Sequence, residues 1–160
     1  MRIARYTAYM NIIEQNILEV TGDFVICHQV NCKGVMGGGL ALQIRNKWPH
    51  VYDTYLAKTD WRLHDCQIVE ITGWSPGDID NSQYVANLAG QHDHDSSVPQ
   101  TDTIALEDAL RVARDFADAN GLTLYIPYMM GCGLAGGDWE KVSTIIERTA
   151  PNAVVCRYVP

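Results

Sequence analysis

The sequence lacks long apolar runs, paired cysteine motifs and clusters of basic residues, and each absence excludes a class of protein. No apolar run is long enough to cross a membrane, and the N-terminal Met-Arg-Ile-Ala-Arg-Tyr has no signal-peptide core. The five cysteines form no C-x-x-C pair, which disfavours a disulfide framework and a zinc ribbon. We therefore expect a cytoplasmic protein with reduced thiols, no membrane segment and one domain over residues 1–160.

Clustered positive charge is also missing. The formal net charge is −7, with 12 lysines and arginines against 19 acidic residues. A protein that holds nucleic acid along an extended surface needs many cations against the phosphates, so extended nucleic-acid binding is disfavoured. A small anionic ligand fits this composition if backbone N–H groups and helix ends bind it.

Two glycine-bearing turns stand out from this background. They are His28-Gln-Val-Asn-Cys-Lys-Gly-Val-Met-Gly-Gly-Gly-Leu-Ala41 and Ile126-Pro-Tyr-Met-Met-Gly-Cys-Gly-Leu-Ala-Gly-Gly-Asp-Trp139. Each turn follows an apolar run and leads into a helix. Glycine permits positive φ and close approach to a ligand, and a helix N-terminus offers unpaired N–H groups to an anion. The pair predicts a grip on one diphosphate.

Apolar patterning predicts strands that alternate with helices. We expect strands within Ala4–Leu18, at Phe24–Val30, near Gln67–Thr72 and Gln83–Leu88, at Leu122–Ile126 and at Ala153–Val159. Helices are expected at Leu40–Trp48, from near Val51, over Asp102–Asn120 and from about Asp138, with a turn at Ser75–Asp78. This alternation predicts a three-layer α/β domain, in which ligands lie beyond the carboxyl ends of the strands.

Other nucleotide-binding patterns fit less well. Gly131-Cys-Gly-Leu-Ala-Gly136 matches the dinucleotide fingerprint, but the following strand, Val154–Arg157, lacks the acidic end that a Rossmann unit requires. The first turn lacks the spacing of a phosphate-binding P-loop. Two ordinary glycine turns remain the structural alternative.

Side chains beside the turns suggest chemistry. His28 could orient or protonate a leaving group, and the Asn31 amide could hold sugar hydroxyls. The structural alternative for His28 is a ring nitrogen bonded to backbone. Cys132 lies at a helix entrance, a setting that lowers a thiol pKa, but no basic partner is evident and we expect a packing role.

Two acidic features have ordinary explanations. His92-Asp-His-Asp95 offers metal-ligand side chains, but one extended loop makes a poor closed site, so we expect no metal and a loop that folds over a ligand. Asp138 stands where an N-cap carboxylate belongs, and it acts in catalysis only if it faces the pocket.

At the two turns the sequence resembles the macrodomain family, ADP-ribose-binding α/β/α modules with a central mixed sheet. The resemblance rests on His28-x-x-Asn-Cys-x-Gly-x-x-Gly-Gly-Gly39 and Gly131-Cys-Gly-Leu-Ala-Gly-Gly-Asp-Trp139, and it covers most of the chain. It is strongest with the branch of ADP-ribose 1″-phosphate phosphatases, terminal ADP-ribose protein glycohydrolases and antitoxins that remove ADP-ribose from DNA. It implies ADP-ribose or a derivative as ligand and no cofactor.

The resemblance also implies binding residues. Asn16 and Ile17 fall where the family commonly has an Asp and an apolar residue at the adenine, and asparagine still accepts through its amide oxygen. Tyr158 matches an aromatic residue that lies against adenine. The residues matching the loops around the diphosphate and distal ribose are Met36, Gly37, Gly38, Gly39, Leu40, Gly131, Cys132, Gly133, Leu134 and Gly136.

The implied chemistry is hydrolysis at the terminal ribose by His28, Asn31 and Asp138. His28 and Asn31 match the phosphatases, whereas Gln91 stands where the glycohydrolases carry a catalytic lysine, and Ala135 stands where one of them has an aspartate. We therefore expect an ADP-ribose 1″-phosphate phosphatase. The alternatives are an ADP-ribosyl hydrolase acting on modified protein or nucleic acid, and a non-catalytic ADP-ribose binder.

Overall fold

The computed structural model describes residues 10–72 and 80–160, which form six strands and four α-helices. The strands are β1 (Asn11–Glu14), β2 (Phe24–Val30), β3 (Cys66–Glu70), β4 (Gln83–Ala89), β5 (Thr123–Pro127) and β6 (Val154–Arg157). The helices are α1 (Gly39–Lys47), α2 (Pro49–Ala57), α3 (Thr103–Asn120) and α4 (Trp139–Thr149).

All six strands join one mixed sheet in the order β1-β6-β5-β2-β4-β3. Neighbouring strands are parallel except β3, which runs antiparallel to β4 at the edge. Residues of β2 are nearly all buried, as expected for a central strand covered on both faces.

Helices cover both faces of the sheet, which confirms the predicted three-layer α/β arrangement. One core joins α3 and α4 to the sheet, for example Leu110 and Ile146 against Val25. The other joins α1 and α2 to the opposite face, for example Ile44 and Val51. Because successive strand residues point to opposite faces, Val25 and Ile26 enter different cores.

Helix α3 shows how local sequence sets an element. Asp102 caps its start, accepting from the N–H groups of Ile104 and Ala105, and Gly121 ends it in the left-handed conformation at φ 65°. Its apolar stripe is buried as predicted. These signals are local, so the helix ends where the sequence predicts.

After β2 and after β5, the chain continues toward opposite edges of the sheet. From β2 the chain goes through α1, α2 and β3 to β4 on one side, and from β5 it goes through α4 to β6 on the other. The helices that follow the two strands lie on opposite faces of the sheet. This arrangement opens a crevice beyond the carboxyl ends of β2 and β5, where ligands bind in such sheets.

The predicted elements differ from the observed ones mainly at their ends. Ile17–Glu19 forms a short 3-10 helix instead of continuing the first strand, because the Asn16 side chain accepts from the Leu18 N–H and caps it. Helix α2 begins at Pro49, whose fixed φ suits a first helical turn. The start of the predicted first strand and the Ser75–Asp78 turn lie outside the described residues. Within the described residues, every helix is too short or too polar to span a bilayer.

Candidate functional site

A cavity of about 470 Å³ occupies the crevice beyond β2 and β5. Both glycine turns contribute to its lining, together with the segment that follows β4. The residues that line it are His28, Gln29, Val35, Gly37, Gly38, Gly39, Leu40, Ala41, Gln91, His94, Ser96, Pro127, Tyr128, Met129, Met130, Gly131, Gly133, Leu134 and Ala135.

The lining mixes apolar and polar groups and carries no permanent charge. Among the described residues that line the cavity, there is no lysine, arginine, aspartate or glutamate. Helix α1 starts at its rim with Gly38 as N-cap and no side-chain cap, so the N–H groups of the first turn are left for a ligand. The cavity therefore suits an anion bound by backbone donors.

At one position of the second glycine turn, Gly131, the backbone conformation and the surrounding atoms leave room for glycine alone. Gly131 has φ 74°, and a Cβ there would come within 2.7 Å of Gln29 Oε1. The Gly131 carbonyl accepts hydrogen bonds from the N–H of Gly137 at 2.8 Å and from the Thr101 hydroxyl at 2.6 Å. The turn is thereby closed on itself and attached to the segment before α3.

The side chain of Gln29, on β2, bonds to both ends of the loop between β4 and α3. Its Nε2 donates to Gln91 Oε1 and to Thr101 Oγ1, both at 2.9 Å. Gln91 Nε2 in turn donates to the Asp93 carbonyl at 2.7 Å. We call these three side chains, Gln29, Gln91 and Thr101, the glutamine brace. Gln91 is thus held by neighbours on both ends of its amide.

The loop between Gln91 and Thr101 is held across the cavity rim. The Cys32 N–H donates to the His92 carbonyl at 3.0 Å, and the Gln100 N–H donates to the Ala135 carbonyl at 2.8 Å. His94 and Ser96 of this loop line the cavity, as the expected loop over a ligand requires. The described residues contain no group of three side chains able to hold a metal ion.

His28 lies at the floor of the cavity, near the carboxyl end of β2. It is 2% exposed, and its Nε2 lies 2.5 Å from Oδ1 of Asn87 on β4. Burial lowers its pKa to about 4, although the Asn87 bond opposes the shift. His28 is therefore a neutral imidazole at pH 7, suited to orient a group and not to donate a proton to it.

The side chain of Asn31 points into the first glycine turn and bonds to its backbone. Its Oδ1 accepts from the N–H groups of Lys33 and Val35 and from the Tyr55 hydroxyl, and its Nδ2 donates to the Val35 carbonyl at 2.7 Å. It does not line the cavity. These bonds make Asn31 the residue that shapes the loop, with Tyr55 of α2 as its partner.

Two other predicted residues lie beneath the loops instead of in the cavity lining. Met36 is buried with Val30 and Tyr55. Cys132 is half-buried and its Sγ contacts the Met130 carbonyl at 3.4 Å. Burial, with a smaller effect from Asp138, raises the pKa of Cys132 to about 11, opposite to the effect of a helix entrance and in keeping with the expected packing role.

The remaining residues of the second turn connect it to its surroundings. Gly136 has φ 69° and lies against Pro99. Asp138 caps α4, its Oδ1 accepting from the Glu140 N–H at 2.9 Å, and it lies on a groove between α3 and α4 instead of in the cavity. Leu134 is 65% exposed and reaches across to Gly38, so the two glycine turns meet over the cavity.

The residues predicted at an adenine share one edge of the sheet. Asn16 and Tyr158 follow β1 and β6, which are paired in parallel, and the Gln15 N–H donates to the Arg157 carbonyl at 3.0 Å. Asn16 caps the 3-10 helix, Ile17 is buried and Tyr158 is exposed. None of the three lines the cavity, and their contact with a ligand stays a prediction.

The structure adds residues that the patterns did not single out. Met129 lines the cavity at φ 62°, a conformation that is uncommon outside glycine and is found at functional sites. Tyr128 lines it too, packed on Trp139 with ring centroids 5.0 Å apart. Asn87 is fully buried, and its signal in the sequence is an amide inside an apolar strand.

Comparisons with known proteins agree with this geometry. A model of the Macro domain family matches residues 27–146. A DNA ADP-ribosyl glycohydrolase of Mycobacterium tuberculosis is 28% identical over 118 residues, or 73% of this chain and 32% of the relative. The chain thus spans about a third of the length of the curated relatives it matches.

Solved structures share the fold. A protein from Bacteroides thetaiotaomicron is 28% identical with a TM-score of 0.75, over 93% of this chain and 96% of that one. DarTG of Thermosipho africanus, solved with ADP-ribose, is 24% identical with a TM-score of 0.66, over 85% of this chain and 38% of that one. Because the family match covers most of the chain, the protein belongs to the Macro domain family.

Proposed function

We propose that this macrodomain binds ADP-ribose derivatives and hydrolyses the substituent on the terminal ribose, releasing phosphate from ADP-ribose 1″-phosphate. One observation carries the proposal: two glycine turns meet over a cavity whose described lining offers backbone N–H groups and no charged side chain. A diphosphate needs such donors in a protein of net charge −7. A protein of this fold holds ADP-ribose, which agrees with that ligand.

The diphosphate sets the position of the rest of the ligand. With the diphosphate at the start of α1, the distal ribose lies at the floor of the cavity beside His28, and the adenosine extends toward the edge where Asn16 and Tyr158 lie. Binding energy from the adenosine and diphosphate then orients the reacting ribose, which is how remote contacts assist a reaction.

His28 is the side chain that we assign to the reacting end. Water attacks the phosphorus, the bond from phosphorus to the ribose 1″ oxygen breaks, and the proton from water passes to the products, ADP-ribose and phosphate. As a neutral imidazole, His28 accepts a hydrogen bond from a ribose hydroxyl or the attacking water. Asn31 supports this geometry by shaping the loop, and Asp138 caps α4.

A second candidate is the removal of ADP-ribose from DNA ends. It is favoured by the mycobacterial relative, a DNA ADP-ribosyl glycohydrolase at 28% identity. Two features oppose it. Gln91 occupies the place of the lysine expected for that reaction and is held in the glutamine brace. The acidic charge of the chain also weakens attraction to DNA.

Parallel assays with two substrates distinguish these functions. Purified protein is incubated with ADP-ribose 1″-phosphate and with an ADP-ribosylated single-stranded oligonucleotide, and phosphate and ADP-ribose are measured. We expect phosphate release, and roughly a hundredfold slower release by the folded His28→Ala variant. Cys156→Ser, a buried cysteine away from the cavity lining, serves as control.

Each other outcome selects a different function. ADP-ribose release from the oligonucleotide without phosphate release favours the DNA reaction. Binding of ADP-ribose in calorimetry without turnover of either substrate identifies a non-catalytic binder. An unchanged rate in His28→Ala contradicts the role assigned to His28.

A further inference from the structure

Three polar side chains form a row across the carboxyl-terminal part of the sheet. Asn87 of β4 is paired in register with His28 of β2 on one side and with Gln67 of β3 on the other. Residues paired in this way project on the same face of a sheet, here the face covered by α1 and α2. The row begins at the edge strand β3 and ends at the cavity, which His28 lines.

Hydrogen bonds run through the row in one direction. Gln67 Nε2 donates to the Thr54 carbonyl of α2 at 3.0 Å, and Asn87 Nδ2 donates to Gln67 Oε1 at 3.0 Å. Asn87 Oδ1 then faces His28 Nε2 at 2.5 Å. We call Gln67, Asn87 and His28 the relay row.

The backbone carbonyl of Thr54 sets this direction because it can only accept. It requires the amide nitrogen of Gln67 to face it, which leaves Gln67 Oε1 to accept from Asn87. Asn87 must then present its own oxygen to His28. Reversing the row would place the Gln67 and Thr54 oxygens against each other, a repulsive contact that the observed direction avoids.

We infer that the relay row fixes the tautomer of His28, with the proton on Nε2 and the lone pair on Nδ1, and that Gln67 and Asn87 are positioning residues. His28 Nδ1 is buried and has no hydrogen-bond partner among the described residues. It is therefore an acceptor without a donor, and we place against it a ligand hydroxyl that enters from the cavity that His28 lines. The tautomer stands on the geometry alone, whereas the hydroxyl partner rests on the proposed function.

Substitutions at Gln67 test the direction of the row. Gln67 is half-buried on the edge strand and tolerates change better than the fully buried Asn87. Gln67→Glu presents only acceptors, so it still receives the Asn87 amide and keeps the tautomer. Gln67→Lys presents only donors, so Asn87 turns its oxygen toward residue 67 and its nitrogen toward His28. The His28 proton then moves to Nδ1.

The measurement is long-range proton–nitrogen correlation on protein labelled with ¹⁵N-histidine near pH 7.5. A protonated and a bare ring nitrogen resonate far apart, so each neutral tautomer has its own pattern. The five histidines are separated by the loss of one pattern in His28→Gln. Glu70→Gln, on the same strand, is a matched control with the same charge change as Gln67→Lys.

We expect the Nε2-protonated pattern in the wild type, Gln67→Glu and Glu70→Gln, and the Nδ1-protonated pattern in Gln67→Lys. An Nδ1-protonated wild type overturns the inference, as does an unchanged tautomer in folded Gln67→Lys. If Gln67→Lys does not fold, the wild type and Gln67→Glu decide, and a mixed or Nδ1-protonated pattern in either overturns it.

Addition of ADP-ribose separates this inference from the proposed function. We expect the Nδ1 resonance of His28 to shift as it accepts a hydrogen bond. Binding in calorimetry without that shift overturns the hydroxyl contact and leaves the proposed function intact. No binding at all contradicts the proposed function, and the tautomer is still read from the protein alone.

Discussion

Replacing Gly131 with alanine tests whether the glutamine brace shapes the cavity. Two costs arise at this position. The residue has φ 74°, where an L side chain is strained, and the new Cβ would lie 2.7 Å from Gln29 Oε1. Gln29 has little freedom to move away, because its Nε2 donates to both Gln91 and Thr101.

The size of the effect follows from these two costs. A left-handed alanine costs about 1–2 kcal/mol, and two weakened hydrogen bonds cost about 1 kcal/mol each. We expect Gly131→Ala to lower the free energy of unfolding by roughly 3 kcal/mol. Displacement of the second glycine turn should also weaken ADP-ribose binding by at least about tenfold, which corresponds to roughly 1.4 kcal/mol.

Gly121→Ala is the matched control. Gly121 also has a left-handed φ, 65°, but a Cβ there would meet nothing within 4 Å, and the residue lies at the end of α3 away from the cavity lining. It should show the conformational cost alone, about 1–2 kcal/mol, with unchanged binding. Urea unfolding followed by tryptophan fluorescence gives the stabilities, and calorimetry gives the affinities.

Two results would refute this reasoning. If Gly131→Ala and Gly121→Ala lose the same stability, the contact with Gln29 contributes nothing. If Gly131→Ala binds ADP-ribose with wild-type affinity, the brace does not shape the binding site.

Three further predictions concern the predicted catalytic and binding side chains. Burial lowers the pKa of His28 to about 4, below the 6.5 of an ordinary imidazole, so the unfolded chain binds the proton more readily. Between pH 6.5 and 4 the wild type should therefore lose roughly 3 kcal/mol more stability than His28→Gln, and equal losses would contradict this. Asp138→Ala should cost about 1 kcal/mol of stability, whereas Asp138→Asn keeps the cap and full activity; a folded but inactive Asp138→Asn would indicate catalysis. Cys132→Ser should leave affinity and turnover within about twofold, because its thiol has a raised pKa and is no nucleophile at neutral pH; a large loss of turnover would disprove that.

The fold could be predicted because most of its signals are local. The apolar stripe of α3, its Asp102 cap and its terminal Gly121 all lie within or beside the helix. The prediction from apolar patterning is wrong where a single side chain forms a local hydrogen bond that favours another element. Ile17 and Leu18 are apolar like a strand, but the Asn16 amide caps a 3-10 turn there.

The candidate site was predictable only in part. Glycine turns can be recognised from sequence because their effect is on their own backbone. The direction of Asn31 depends on Tyr55, which comes from α2 and donates to Asn31 Oδ1 at 2.8 Å. His28 and Asn87 are 59 residues apart and meet only because β2 and β4 are neighbours. Such contacts require the strand order, which no local pattern contains.

The lack of permanent charge around the cavity has a consequence for ionic strength. Backbone N–H groups act on a bound diphosphate at contact distance, where salt screens little, whereas the net charge of −7 acts on it from afar. Long-range repulsion therefore slows the approach of an anionic ligand in dilute buffer, and added salt relieves it. Affinity for ADP-ribose should stay level or rise slightly with salt, opposite to the behaviour of a protein that holds phosphates with lysine and arginine.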